Sequence, residues 1–274
     1  ADKVGAEVPA YKAHVDGIVA RMGRNHPMVK TQYFSEELDA EGALFTAERI
    51  RLMQGTHPGL RMGPGADAGW GDNHLVAFLV DVAGQDEAVV EGAADKHPGA
   101  ARDSTAITIV EVDTSTIEDP GIGAPVYRVL DRHLWTGLPQ SDQYGRLRSL
   151  VELWNPRHVV IDATGIGAGL SSFLERTFPN RIIPFVFTAA SKARLCWNYL
   201  SIIDGARWKE PTGTFPSIFA PQNGGDRGGV SLGELFIRQL QAVTYEVLPG
   251  PGKLIRWEVP AGTRDPLNGE YLHD

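Results

Sequence analysis

The chain has 274 residues, 42% of them apolar and 22% charged, and its 26 basic and 34 acidic side chains give a formal net charge of −8. No run approaches the about 18 consecutive apolar residues that a membrane span needs, which argues against a membrane protein. The N-terminal stretch contains no apolar core of the signal-peptide kind, which predicts an intracellular protein. An acidic chain has no general attraction for a phosphate backbone, although divalent cations bound to clustered carboxylates would reverse the local field.

Residues 1–72 are predicted to form an arm or linker, and residues 73–274 the main domain. The segment "YKAHVDGIVARM" has the pattern of an amphipathic helix. The later segment "HPGLRMGPGADAGWGDN" is rich in glycine and proline, which is typical of a connection.

Regular strand patterns begin at Leu75. The runs "LVAFLVDV", "TAITIVEV" and "VYRVLDRHLW" predict three strands, and their order favours an antiparallel meander. The next segment has apolar residues at helical spacing: Leu147, Leu150, Val151 and Trp154. The remaining predictions are strand "RHVVIDA", helix "GAGLSSFLERTF", strand "RIIPFVF", helix "SKARLCWNYLSIIDG" and helix "SLGELFIRQLQAVTYEVL". The one cysteine, Cys196, lies in an apolar stretch and is predicted to be a core thiol.

This order of elements predicts an α/β fold. Strand-helix-strand crossovers imply parallel pairing for the later strands, so the sheet is expected to be mixed. Three antiparallel strands followed by α-β-α-β, flanked by helices, is the chain order of an RNase H-like domain. In such a sheet the first and fourth strands are neighbours.

The segment "VVIDATGIGAGL" admits two interpretations. A dinucleotide-binding turn needs G-x-G-x-x-G after the first strand of the sheet. Gly165 and Gly167 fit this spacing, but Leu170 stands where the third glycine is needed, and the turn follows the fourth predicted strand. We therefore favour the second interpretation, in which the strand ends in a functional carboxylate, Asp162.

A second aspartate, Asp81, lies near the end of the first predicted strand. Either aspartate alone is more typical of a turn or a helix cap. On neighbouring strands, however, their carboxylates would converge, and two converging carboxylates repel each other unless a cation joins them. The pair therefore predicts a divalent metal site.

These segments resemble the nuclease domain of the terminase large subunit of tailed bacteriophages, which cuts DNA during genome packaging. The resemblance is carried by "LVDVAG" with "DSTAITIVEV", by "LWNPRHVVIDATGIGAGL", by "SKARLCWNYLSIIDG" and by the terminal "NGEYLHD", and it extends over about residues 26–274. It implies an endonuclease that cleaves concatemeric viral DNA in the cytoplasm of the infected or lysogenic bacterial host. The implied partners are double-stranded DNA, a packaging ATPase domain upstream in the same protein, the small terminase subunit and the portal, with no membrane. No G-x-x-x-x-G-K-[ST] loop occurs in this sequence, so the ATP-driven motor is expected upstream.

The resemblance also implies the site residues. Two cations, Mg²⁺ or Mn²⁺, would be held by three acidic residues, which correspond to Asp81, Asp162 and Asp274. The last helix, near Asp274, is expected to be truncated, and the residue that would follow Asp274 is an alternative third ligand. Asp86 or Asp103 could supply a further carboxylate, and Asp103 is favoured because it directly precedes the second strand.

The candidate DNA contacts flank the helix after the fifth strand or lie in the glycine-rich segment "QNGGDRGGVSL"; they are Lys192, Arg194, Arg207, Lys209 and Arg227. The histidines His133, His158 and His273 are predicted to be surface or structural residues. Three alternatives stay open: another RNase H-like nuclease of the resolvase or transposase type, a non-catalytic DNA-gripping module of a packaging motor, and an NAD-binding dehydrogenase.

Overall fold

The computed structural model describes residues 8–22, 24, 29–34, 41–60, 63, 74–83, 104–212, 231–248, 254–260, 262–264 and 272. Its α-helices are α1 (Pro9–Met22), α2 (Ala47–Leu52), α3 (Gln140–Trp154), α4 (Gly167–Thr177), α5 (Ala189–Asp204) and α6 (Leu232–Ala242), and shorter helical turns span Val29–Tyr33 and Ser115–Ile117. Its strands are β1 (Glu41–Ala43), β2 (Gln54–Pro58), β3 (His74–Asp81), β4 (Ser104–Asp113), β5 (Val126–Thr136), β6 (His158–Asp162), β7 (Ile182–Phe185), β8 (Trp208–Thr212), β9 (Thr244–Val247) and β10 (Ile255–Glu258). Within these ranges, no helix has the length and apolar character needed to cross a membrane.

The main sheet of the described chain has seven strands in the order β2-β8-β5-β4-β3-β6-β7. Strands β3, β4 and β5 form the predicted antiparallel meander, and β6 and β7 continue beside β3 in parallel. The predicted α/β mixed sheet is therefore confirmed, together with the predicted pairing of its first and fourth strands, β3 and β6. Strands β2 and β8, which add two parallel pairings beyond β5, were not predicted. Their sequences, "QGTHP" and "WKEPT", carry proline and polar residues that conceal a strand pattern.

Alternation along the strands divides the buried side chains between two cores, one on each face of the sheet. On the first, the α3–α4 face, the core includes Phe78, Val80, Ile107, Leu150, Ile161 and Leu174. On the second, the α5 face, the core includes Val110, Val129, Cys196, Leu200 and Leu240. Because successive residues of a strand alternate between faces, Asp81 and Asp162 are on the α5 face, opposite to Val80 and Ile161.

Helices α3 and α5 lie close to their predicted positions. The four apolar residues predicted on one face of α3 are all buried. Helix α5 begins with a capping box, in which the Thr188 side chain accepts from the Ser191 N–H at 3.1 Å and the Ser191 hydroxyl accepts from the Thr188 N–H at 2.7 Å. The same helix buries Cys196, and desolvation raises the pKa of its thiol to about 12. Cys196 is thus a core thiol, as predicted.

The helix predicted over residues 231–248 is shorter than expected. Helix α6 ends at Ala242, and the next residues, "TYEV", form strand β9. Strand β9 pairs with β1 on one side and with β10 on the other, which creates a second, three-stranded sheet. The β-branched and aromatic residues after Val243 favour a strand once these partners are present.

The predicted arm is not separate from the main domain over residues 41–60. Strand β1 pairs with β9, β2 pairs with β8, and Met53 is completely buried in the core of the α5 face. Arg49 of α2 also donates two hydrogen bonds, of 2.8 and 2.9 Å, to the carboxylate of Asp204 in α5. The boundary predicted at residue 72 is therefore corrected for residues 41–60. The apolar side chains of this segment pack against elements that lie far along the chain, and its strands pair with strands of those elements.

A buried ion pair attaches helix α6 to the sheet. Arg132 of β5 donates to both carboxylate oxygens of Glu210 of β8, at 2.5 and 2.7 Å. The Trp208 indole donates to the same carboxylate at 2.7 Å, and the Arg132 guanidinium lies 3.9 Å from the centre of the Phe236 ring of α6. Both terminal nitrogens of Arg132 are thus paired with the carboxylate in the interior, as burial of an ion pair requires, whereas the buried Arg132 Nε has no hydrogen-bond partner within the described part of the chain.

The end of β4 carries a carboxylate that makes stability depend on pH. Asp113 accepts from the Ser115 N–H at 3.0 Å, from the Ser115 hydroxyl at 2.6 Å, and from Arg128. Desolvation by burial raises the pKa of Asp113, but the hydrogen bonds from Ser115 and Arg128 outweigh it, and the pKa lies below its ordinary value. A carboxyl group with a lowered folded-state pKa stabilises the fold above its unfolded pKa and loses that contribution as the pH falls.

We expect Asp113→Asn to lower the free energy of unfolding by about 2 kcal/mol at pH 7, because the charged acceptor is lost. The difference from the parent should narrow as the pH falls below about 4, where the unfolded-state aspartate becomes protonated. Urea unfolding of both proteins at several pH values measures this gap. Asp119→Asn, in the exposed turn of the same loop, is the control and should change stability little at any pH. A gap that is the same at pH 7 and at pH 3 would contradict the prediction.

Candidate metal centre

The two predicted aspartates end neighbouring parallel strands. In the register of β3 with β6, Val80 lies beside Ile161, so the next residues along the two strands are Asp81 and Asp162. Adjacent strands are about 4.8 Å apart, and both side chains are on the α5 face. Asp81 is exposed and Asp162 is half-buried, so a solvent-borne ion can reach both carboxylates. The structure therefore brings together the two carboxylates that the sequence pointed to.

The turn after β6 orients Asp162. Its Oδ1 accepts a hydrogen bond from the Thr164 N–H at 2.7 Å, which closes an Asx turn. The Thr164 hydroxyl in turn accepts from the Phe187 N–H at 2.9 Å, beyond the end of β7. Two hydrogen bonds thus link the Asp162 carboxylate to the segment that follows β7, and they restrict its side chain before any ligand binds.

The three glycines of "GIGAG" have different roles. Gly165 has a φ of +56°, a left-handed conformation that glycine adopts at little cost. A Cβ on Gly167 would lie 2.2 Å from the Asp162 carbonyl oxygen, so only glycine lets α4 begin this close to β6. A Cβ on Gly169 would meet nothing within 4 Å. The motif therefore serves a close contact between strand and helix, in a mixed sheet that lacks the arrangement of a dinucleotide-binding fold.

A buried polar network anchors the chain just after Asp81. The Thr105 hydroxyl accepts from the Ala83 N–H at 3.0 Å and donates to Gln143 Oε1 at 2.8 Å. Gln143 Nε2 donates to the Leu138 carbonyl at 2.8 Å, which completes the network inside the fold. The end of β3 is consequently held against the start of β4 and the first turn of α3, and this fixes the backbone that carries Asp81.

The donors at this edge suit a hard divalent cation. Carboxylate oxygens are the ligands that Mg²⁺ and Mn²⁺ prefer, and a cation between Asp81 and Asp162 would relieve the repulsion between their charges. No group of three or more acidic, histidine or cysteine side chains with metal-site geometry occurs among the described residues. The other predicted ligands, Asp103 and Asp274, lie outside the described residues.

The predicted DNA contacts divide into two groups. Arg194 is exposed on α5, and Lys192 of the same helix lies 4.7 Å from the centre of the Trp257 ring of β10. Arg207 is only 7% exposed and donates to the carbonyls of Arg21, at 2.7 Å, and Pro125, at 3.2 Å. This burial, which also lowers the pKa of Arg207, corrects the predicted DNA contact for that residue.

Lys209 also binds backbone carbonyl groups, although it is less buried than Arg207. Its ammonium group donates to the Leu52 carbonyl at 2.8 Å, and desolvation lowers its pKa. Lys209 is half-buried, and its ammonium group links β8 to the end of α2. The fifth predicted contact, Arg227, lies outside the described residues.

The histidines take no part in the Asp81–Asp162 site. His133 is completely buried, 3.2 Å from the Asp131 carboxylate on β5, which agrees with a structural role. His158 begins β6, at the opposite end of the strand from Asp162. His273 lies outside the described residues.

Two features of the site were not predicted from the sequence. One is Thr164, although an aspartate followed two residues later by threonine is a recognisable Asx-turn pattern. The other is the aromatic pair Phe185 and Phe187, whose residues "FVF" were assigned to the end of a strand. Phe185 is the register partner of Asp162, so this pair borders the carboxylates.

Comparison with known families finds a family model that matches part of the chain. Residues 94–221 match the family model of the terminase RNaseH-like domain. This part of the chain, just under half of it, is similar to a terminase RNase H-like domain. The matched range includes Asp162 and the turn that orients it, whereas Asp81 precedes the range on the adjacent strand.

Two curated phage proteins are similar over short segments. The chain is 33% identical over 60 residues to the "Terminase, ATPase subunit" of Escherichia phage P2, covering 22% of this chain and 10% of that protein. It is 26% identical over 96 residues to the "Probable terminase, ATPase subunit" of Haemophilus phage HP1, covering 34% of this chain and 16% of that protein. The alignments thus span less than a fifth of these relatives.

The fold is also that of a solved terminase nuclease. The large terminase nuclease from thermophilic phage G20c with bound cobalt superimposes with a TM-score of 0.50 at 14% identity, over 81% of this chain and 90% of that one. At this identity the similarity concerns the fold alone. The chain therefore has the RNase H-like sheet that the order of its elements predicted.

Proposed function

We propose that this chain is a metal-dependent DNA endonuclease that cleaves concatemeric viral DNA during genome packaging. The observation that carries the proposal is the placement of Asp81 and Asp162 side by side, open to solvent, at the carboxyl ends of adjacent strands. Carboxylates in this arrangement hold divalent cations, and hydrolysis of a phosphodiester is the chemistry that such cations support. The match to a terminase RNase H-like domain supports the choice of DNA as substrate.

The residues of the chain would hold and orient the metal ions. When bound, two divalent cations would supply activation of the attacking water and stabilisation of the leaving oxygen. Asp81 and Asp162 would supply ligands from two strands, with Asp162 pre-oriented by the Thr164 N–H. Asp274 is the proposed third ligand, and Asp103 a further one. The cobalt bound to the similar phage G20c nuclease supports a divalent cation at this fold.

The proposed DNA-binding residues are Lys192, Arg194 and Arg227. Contacts from such side chains to phosphates position DNA without reading its sequence, so we expect weak sequence preference. Bound cations would also offset the net charge of −8 where the backbone approaches. We further propose that the domain works with a packaging ATPase domain, the small terminase subunit and the portal, in the bacterial cytoplasm. The names of the two phage relatives, each an ATPase subunit of a terminase, support the link to a packaging ATPase.

The first experiment measures whether DNA cleavage requires a metal ion. Supercoiled plasmid is incubated with the chain in Mn²⁺, in Mg²⁺ and in EDTA, and the nicked and linear products are resolved on a gel. We expect cutting with Mn²⁺ or Mg²⁺, none in EDTA, and recovery when excess Mn²⁺ is added back. Cutting that EDTA does not affect would contradict the proposed mechanism.

The same assay separates the alternatives. DNA binding in a gel-shift measurement, without cleavage under any metal condition, would favour a DNA-gripping module over an endonuclease. Preferred cleavage of a four-way junction over linear duplex would favour a resolvase. A packaging endonuclease should cut linear duplex without a preference for branched DNA.

A further inference from the structure

Phe185 and Phe187 form an aromatic pair beside the proposed metal centre. Their ring centres are 5.0 Å apart and the rings are tilted by 73°, an edge-to-face arrangement. Phe185 is the register partner of Asp162, so it is on the same face of the sheet, one strand further out. An aromatic side chain therefore continues the row that Asp81 and Asp162 begin.

Hydrogen bonds tie this pair to the carboxylate. The Phe185 carbonyl accepts from the Ala163 N–H at 2.8 Å, and the Phe187 N–H donates to the Thr164 hydroxyl at 2.9 Å. The Thr164 N–H donates to Asp162 at 2.7 Å. The backbone of the aromatic pair and the carboxylate of Asp162 are thus positioned by the same turn.

The two rings lie outside the hydrophobic cores of the protein. Neither belongs to the two cores among the described residues, and both are half-exposed. Val186 between them is 54% exposed, and Ile183 of the same edge strand is 43% exposed. Half-exposed aromatic rings beside a polar site have a surface available for a ligand.

The surroundings of the pair indicate the chemistry of that ligand. The segment "FVFTAASKAR" continues directly into the first turns of α5, which carry Lys192 and the exposed Arg194. Aromatic rings combined with basic side chains are the usual platform for an unpaired nucleic-acid strand, because bases stack on the rings and phosphates lie against the cations. The bases of an intact duplex are stacked on one another and cannot offer their faces to a side chain.

We propose that the Phe185–Phe187 pair stacks on a base of an unpaired DNA strand next to the scissile phosphate, so that the DNA held at this site is locally single-stranded. The inference rests on the proposed nuclease function, because the phosphate of the same nucleotide would be the one placed at Asp81 and Asp162. The substrate would then be duplex DNA whose two strands separate locally at the position where the DNA is cut.

The test is a binding measurement that needs no cleavage. A short single-stranded oligonucleotide containing the fluorescent base 2-aminopurine is titrated with the full chain in EDTA, where the metal-dependent reaction cannot occur. Stacking on an aromatic ring quenches the fluorescence of this base. We expect quenching by the parent chain, and loss of quenching with roughly ten-fold weaker binding for Phe187→Ala. Phe187→Trp should restore both.

Matched variants separate stacking from a general loss of structure. Phe173 of α4 is 58% exposed and outside the proposed platform, so Phe173→Ala should bind and quench like the parent. Phe187→Leu keeps an apolar side chain without a flat ring, and it should lose the quenching while its thermal unfolding stays close to that of the parent.

The outcomes distinguish this inference from the proposed function. Quenching by Phe187→Ala or Phe187→Leu equal to that of the parent would overturn the inference, even if the plasmid is cut. Duplex DNA that competes as well as single-stranded DNA for the parent would also overturn it. If quenching depends on Phe187 but the chain cuts no DNA under any metal condition, the stacking of a base on this pair would be supported. The proposed endonuclease function would be contradicted.

Discussion

Replacing Asp162 with asparagine is expected to lower the rate of DNA cleavage at least ~1,000-fold, which corresponds to about 4 kcal/mol of transition-state stabilisation. The amide oxygen of asparagine can still accept the hydrogen bond from the Thr164 N–H, so the turn should persist while the charge that holds a cation is lost. Asp81→Asn should have an effect of similar size, because both carboxylates are proposed to hold the same metal ions. Plasmid linearisation at saturating Mn²⁺ measures the loss.

A second measurement shows whether the loss comes from the metal site. A cation that binds only the folded chain raises its melting temperature, so Mn²⁺ should stabilise the parent but not the two variants. Without metal, the variants should melt at or above the temperature of the parent, because one of two adjacent negative charges has been removed. Asp142→Asn, an exposed carboxylate in the first turn of α3, is the control and should cut like the parent. Full activity in Asp162→Asn would exclude the proposed site.

Gly167→Ala is expected to destabilise the fold by about 3 kcal/mol, since a well-packed site has no room for the added methyl group. The new Cβ would lie 2.2 Å from the Asp162 carbonyl oxygen and 3.5 Å from the Val82 Cβ, so helix α4 or the end of β6 must move. A displacement of about 1 Å at a catalytic group can lower a rate by roughly 100-fold. Urea unfolding measures the first effect, and plasmid cleavage at a temperature where the variant is folded measures the second.

Gly169→Ala is the matched control, two residues further along the same helix. Its Cβ would meet nothing within 4 Å, and alanine has a higher helix propensity than glycine. This variant should therefore be as stable as the parent or more stable by up to about 1 kcal/mol. Equal stability of Gly167→Ala and Gly169→Ala would show that the close contact between α4 and β6 is not what glycine provides here.

Elements with a strong periodic pattern were predictable one by one. The alternating run of β4, the continuous apolar run of β3 and the four buried residues of α3 all lie where their patterns placed them. The sequence pattern gave the wrong secondary structure where a segment pairs with a strand that is distant in sequence. Strand β9 was assigned to a helix because "TYEV" follows an amphipathic helix directly, and only its pairing with β1 and β10 makes it a strand.

The candidate site was predictable in part for the same reason. Asp81 and Asp162 each end an apolar strand, and the order of elements was sufficient to place those strands side by side. The basic residues were not predictable in this way. Arg207 and Lys209 read as surface charges, but the carbonyl groups that they bind come from residues 21, 52 and 125, which only the folded chain brings to them.

The sequence by itself determined the mixed α/β sheet and the two strands that end in aspartate, because hydrophobic periodicity and the chain order of elements are local properties. Only the tertiary structure decided the surroundings of that pair: the Thr164 turn, the Gly167 contact and the position of Phe185 beside Asp162. Each of these depends on distances between groups that strand pairing brings together, and residue types along a chain do not encode such distances directly. Side-chain chemistry therefore indicated a candidate metal centre, and packing showed how the protein orients the Asp162 carboxylate.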